Sequence, residues 1–149
     1  MNTLSHSSTP THSSSETLKS RLEASLSQAW QTLGRDPEAA AAPARESEHL
    51  ARQMGNNHGW AQSLFIWGVS ALYAGQAHDA ITLLGRALAV YRFVGDEEGQ
   101  WNCLSAIAKA WHYMGDTEEA LATQAAAASL PHHELFATGA TWLEWFREF

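Results

Sequence analysis

The sequence contains a single cysteine, Cys103. One thiol can neither close an intramolecular disulfide nor build a cysteine-rich zinc site. Proline is nearly as scarce, with four in 149 residues. No stretch alternates apolar and polar residues with the period of two that a half-buried strand needs. Basic charge is also short: 9 Lys plus Arg stand against 16 Asp plus Glu, a formal net charge of −7. That balance disfavours non-specific nucleic-acid binding, whose affinity comes from cations neutralising phosphates. No apolar run approaches the roughly 18–20 residues of a membrane span. What is present suffices for a core: 45% of residues are hydrophobic against 17% charged, over the length of one domain.

The first sixteen residues, MNTLSHSSTPTHSSSE, are rich in Ser and Thr and almost free of apolar side chains. A secretory signal needs a basic start and an apolar stretch of about 7–15 residues, and neither is there. A mitochondrial presequence would carry several arginines, whereas only Lys19 and Arg21 come near. Residues 1–16 are therefore expected to form a disordered tail, residues 17–149 a folded domain, and the chain to be cytoplasmic.

From residue 17 onward the chain reads as helix. Alanine is abundant, and glycines gather at intervals: Gly34, Gly55 with Gly59, Gly75, Gly95 with Gly99, and Gly115. The same places carry helix-start chemistry. Asp36-Pro37-Glu38 offers a cap, a proline for the first helical position and an acid for the first turn. Asp116-Thr117-Glu118-Glu119 offers a cap and two carboxylates near the positive end of the helix dipole, and Asp96-Glu97-Glu98 the same.

An internal repeat decides the fold. Gly55, Gly59, Leu64, Tyr73, Gly75, Ala80 and Ala87 recur forty residues later as Gly95, Gly99, Leu104, Tyr113, Gly115, Ala120 and Ala127. Upstream, Leu33-Gly34-Arg35-Asp36-Pro37-Glu38-Ala39 answers Met114-Gly115-Asp116-Thr117-Glu118-Glu119-Ala120. A fixed period built from two helices marks an all-α architecture, an alpha-solenoid of helix pairs. The expected pairs are 17–33 with 37–54, 59–74 with 77–94, and 99–114 with 117–130, followed by a last helix over about 140–149. Ala80, Leu84, Ala87, Leu88, Tyr91 and Val94 keep helical spacing, as do Trp101, Leu104, Ala108 and Trp111. Residues 60–74 are apolar on every side, which suits a helix between neighbours in the middle of the stack. Pro43 is expected to bend or break the second helix of the first pair.

At these positions the chain resembles the tetratricopeptide repeat family. The family's places are held by Leu64, Trp67, Gly68, Ala71, Ala80, Leu84 and Ala87, and again by Leu104, Ile107, Ala108, Trp111, Ala120, Gln124 and Ala127. Small residues let helix axes approach and large ones fill the gaps. The resemblance covers about residues 20–130. Two features depart from it: the period is near forty rather than 34, and Gln124 replaces an apolar residue. The longer period with the Gly95-Asp96-Glu97-Glu98-Gly99 junction is similar to arrays in bacterial signalling and regulatory proteins.

The residues that invite a chemical reading are few. His132-His133-Glu134 lacks the i, i+4 histidine pair of a helical zinc site and reads instead as a solvated turn after Pro131. Asp96-Glu97-Glu98-Gly99 lacks the ligand spacing of a calcium loop. Cys103 and His112 stand too far apart on one helix for a thiolate–imidazole pair, so the cysteine reads as a small packed residue. No phosphate-cradling glycine loop and no nucleophile elbow occurs. The expectation is no enzyme, no cofactor and no metal.

The resemblance implies a protein-binding or scaffold module. In the family the first helices of successive repeats line a concave groove for a peptide. Carried over, the groove positions are Gln62, Phe65, Val69 and Tyr73 in the middle repeat and Asn102, Ser105, Lys109 and His112 in the third. The alternative for Phe65, Val69 and Tyr73 is packing against a neighbouring helix. Trp67 and Trp111 fall on core positions, whereas Trp60 and Trp101 begin their helices and read as half exposed. The partner is expected to be a protein or peptide, neither nucleic acid nor membrane. The alternatives are a sensory or regulatory module of a bacterial signalling system, and a self-associating structural protein forming a homodimer. Trp142, Trp145, Phe146 and Phe149 follow i, i+3, i+4, i+7 and form one aromatic stripe, which is expected either to cap the stack or to form an interface.

Overall fold

The structure, a computed structural model, describes residues 10–139. Helix α1 (Pro10–Arg35) is followed by a 3-10 turn (Pro37–Ala40) that leads into α2 (Ala41–Met54). Then come α3 (Asn57–Tyr73), α4 (Ala77–Val94), α5 (Glu97–Tyr113), α6 (Thr117–Ala128) and the short α7 (His133–Gly139). No strand occurs among the described residues. Each long helix packs on its neighbours in sequence, and α3 also touches α1 and α5. The pairs α1/α2, α3/α4 and α5/α6 are the three expected repeats.

The sharp turns follow from backbone chemistry. Four glycines, Gly55, Gly75, Gly95 and Gly115, sit at positive φ, where a side chain would strain the backbone. At Gly95 the amide donates to the Arg92 carbonyl and the next amide, Asp96, to the Tyr91 carbonyl. This paired closure satisfies carbonyls that the helix end leaves free. The Asp96 side chain also opens the next helix, since its Oδ1 accepts the Gly99 amide at 2.9 Å and caps α5. Asn56 caps α3 through Gly59 in the same way, and Asp116 caps α6 through Glu119. One residue thus closes one helix and opens the next, which is why the junction can be so short.

Four expectations need correction. Helix α1 begins at Pro10, so residues 10–16 are helical rather than part of a tail. Proline is compatible with a first helical turn, and extending a packed helix costs far less than starting one. Pro43 neither bends nor breaks α2, because it stands in that helix's first turn, where no intrahelical acceptor waits for its missing amide. Asp36 precedes the 3-10 turn without making a side-chain cap bond. In addition, residues 133–139 form a helix where a solvated turn was expected. The helix anticipated at 140–149, with Trp142, Trp145, Phe146 and Phe149, lies outside the described residues.

The core centres on α3, in which eleven of seventeen residues are buried. Leu64, Phe65, Ile66, Val69 and Leu72 are fully inaccessible, as are Leu33 of α1 and Leu84 of α4. Gly68 is the point of closest approach: a Cβ there would lie 2.7 Å from Leu84 Cγ. Polar groups join the first two repeats inside this core. The Ser47 and Ser63 hydroxyls meet at 2.7 Å, and the Trp60 indole donates to the buried Glu48 carboxylate at 2.8 Å. Glu48 also receives Arg52 Nε at 2.9 Å, so the buried charge is paired.

Candidate interaction site

At the last repeat the stack changes character. In α6 only Ala120 and Ala127 are buried, and α7 covers α5 and α6 over just two turns. Between the three helices lies a cleft of about 290 Å³. Helix α5 contributes Trp101, Ser105, Ala108 and Lys109, spaced by three and four residues and so on one face. Helix α6 contributes Gln124, Ala127 and Ala128, and α7 contributes His133 and Ala137. The walls are methyl groups and one indole; the polar groups are a hydroxyl, an ammonium, an amide and an imidazole. Such a cleft can take an apolar side chain and hold the polar backbone or a carboxylate beside it.

Of the eight predicted groove residues, two line the cleft and six do not. Ser105 and Lys109 line the cleft. Phe65 and Val69 are fully buried, and the Trp30 ring of α1 lies on Phe65 with centroids 5.9 Å apart. They pack on the neighbouring helix and present nothing to a partner. Gln62 is committed to Trp30 and His58. Tyr73 and Asn102 are half-buried and His112 is exposed, but none of the three lines the cleft. Trp101, expected to be half exposed, is only 6% accessible and lines the cleft. The register had pointed to Asn102, one residue further on, and one residue on a helix is a rotation of about 100°.

Other reactive side chains are occupied structurally. Cys103 is fully buried, and burial, with Asp96 nearby as a lesser cause, pushes its thiol well above the usual range. It is a packed residue, not a nucleophile. His132 meets the Glu97 carboxylate at 3.1 Å. Among the described residues no group of three or more His, Cys, Asp or Glu side chains is placed to hold a metal. No helix among them is long and apolar enough to cross a membrane.

Helix pairs closed by glycine turns, with small residues where axes approach, define a tetratricopeptide-like α-solenoid. The sequence itself matches no protein-family model and no curated protein. Among solved structures the chain is similar to the crystal structure of the TPR domain of Arabidopsis FLU. The TM-score is 0.70 and the identity 21%, over 75% of this chain and 95% of that one. At this identity the likeness establishes the fold alone, a tetratricopeptide-type stack.

Proposed function

We propose that the chain is a non-catalytic protein-interaction module that seats a segment of a protein partner in the cleft between α5, α6 and α7. The cleft carries this reading: it joins apolar walls to Lys109 and Ser105 on the helix that the family resemblance assigns to partner binding. The half-buried Lys109 supplies the charge, and the methyl groups of Ala128 and Ala137, with the small part of Trp101 that stays accessible, supply the apolar surface. In the middle repeat Phe65 and Val69 are fully buried on the corresponding face, and that repeat's opening, about 360 Å³, lies elsewhere, beside Arg45, Trp67 and Asp79.

Affinity capture from the source cells tests the proposal with three proteins. The wild type should retain a partner that both Lys109→Glu and Ala128→Trp lose. Lys109→Glu reverses the charge in the cleft, and Ala128→Trp fills the cleft from an exposed position. Neither alters a buried core side chain, so thermal melting should stay within a degree or two of the wild type. A partner held equally by both variants would move the site elsewhere on the stack.

A further inference from the structure

A chain of hydrogen bonds crosses three helices on one edge of the stack. The Trp30 indole of α1 meets Gln62 Oε1 of α3 at 3.2 Å. Gln62 Nε2 meets His58 Nδ1, one turn earlier on α3, at 3.0 Å. His58 Nε2 reaches Asp96 Oδ2, in the turn that opens α5, at 2.9 Å. Asp96 Oδ1 in turn holds the Gly99 amide.

Chemistry fixes the direction of every bond. An indole N–H can only donate and a carboxylate can only accept. Gln62 must therefore present its oxygen to Trp30 and its amide N–H to His58. His58 Nδ1 must accept, which leaves the ring neutral with its proton on Nε2, donated to Asp96. Only one arrangement of protons satisfies all three bonds.

We propose that this relay makes the seating of α1 on α3 sensitive to protonation of His58. A proton added at Nδ1 sets donor against donor at Gln62. Turning the Gln62 amide over restores that bond only by facing its N–H toward the Trp30 N–H. Either way one bond of the relay is lost: the Gln62–His58 bond within α3, which frees the Gln62 amide that holds Trp30, or the Trp30–Gln62 bond between α1 and α3 itself. On the other side the charged ring pairs more strongly with Asp96. Protonation thus loosens α1 from α3 while drawing α3 toward α5.

The titratable groups facing His58 are Asp96 and, from α4, Tyr91, whose ring stands edge-on at 6.1 Å. Burial, then Cys103, Asp96 and Glu98, raise the Tyr91 pKa, so it stays neutral from pH 5 to 8. Helix α1 contributes Trp30, which does not titrate. The charged pair nearest in sequence on α2, Glu48 and Arg52, is closed on itself. The His58 imidazole and the Asp96 carboxylate it holds are therefore the pair on which the response turns.

The test follows the indole N–H resonances of the full chain by NMR from pH 8 to pH 5, with Trp30 assigned through Trp30→Phe. The Trp30 signal should shift with the same midpoint as the His58 ring, and in His58→Ala it should no longer titrate. In Gln62→Glu a carboxylate can accept from both neighbours, so the His58 midpoint should rise. A Trp30 signal that is flat while His58 titrates overturns the proposal. So does one that titrates unchanged in His58→Ala, or a His58 midpoint that does not move in Gln62→Glu.

Discussion

The Tyr91 ring occupies the space where a side chain on residue 99 would begin. A Cβ built on Gly99 would overlap the ring atoms of Tyr91, which is itself 3% accessible. The glycine of the junction is therefore a packing residue, not a flexible one: it lets α5 start directly against the last turn of α4. Gly99→Ala should cost about 1–3 kcal/mol, as overpacking of a well-filled core does. Gly85 is the control. It lies inside α4, and a Cβ there meets nothing within 4 Å. Gly85→Ala should stabilise by about 0.4–1 kcal/mol through the unfolded chain. Urea melts of both variants check the pair, and equal effects would remove the Tyr91 argument.

Phe65 and Trp67 separate burial from residue size. Phe65 is fully buried under Trp30, so Phe65→Ala should cost about 3–5 kcal/mol. Trp67 is larger, but it is only half-buried and carries the Arg45 guanidinium 6.0 Å from its ring centre. Sequence register alone assigns Trp67 to the core and the same cost of about 3–5 kcal/mol; the observed exposure puts Trp67→Ala below Phe65→Ala. Denaturant unfolding at matched slope gives the order, and the reverse order would misplace the two side chains.

These two residues also mark how much of the structure is legible in the sequence. The turns are legible because positive φ and helix capping each demand particular residues at fixed places, and Gly95-Asp96 and Gly115-Asp116 supply them. The fold follows from the repeat those turns punctuate. The site is only half legible. Ser105 and Lys109 line the cleft proposed as the site, but Phe65 and Val69 are buried, and the repeat pattern of α1 is too degenerate to show which side its Trp30 takes. The Ser47–Ser63 contact and the Glu48–Trp60 bond leave no signal at all, because a buried polar pair is specified by tertiary partners and not by periodicity.

The two aspartate caps should differ in their worth. Asp116 caps α6 through the Glu119 amide alone, so Asp116→Ala should cost about 1 kcal/mol. Asp96 caps α5 and also receives His58. The His58 side chain is 54% accessible, so that second bond adds only about 0.2–1 kcal/mol. Asp96→Ala should therefore exceed Asp116→Ala by that small margin, and in a His58→Ala background the margin should vanish. A double-mutant cycle measured by urea denaturation supplies the comparison.

Stability should fall on the alkaline side, and Cys103 should set where the fall begins. Burial raises the thiol's pKa in the folded protein, whereas an unfolded cysteine ionises near its ordinary value of about 8.5. Below that pH both states keep the proton and the full stability is present. Above it the unfolded chain releases the proton while the folded chain retains it, so unfolding becomes easier as pH rises. The loss should approach about 1.4 kcal/mol for each pH unit until the folded thiol also ionises. Tyr91, raised chiefly by the same burial, adds a second loss only above its own ordinary value of about 10. Cys103→Ala removes the first loss and leaves the second. Urea melts under reducing conditions at pH 7, 9 and 10 read the difference directly: the wild type should weaken between pH 7 and 9 more than the variant does. Parallel curves over that interval would mean that the thiol ionises as readily in the folded chain as in the unfolded one, and that it is not sealed in the core.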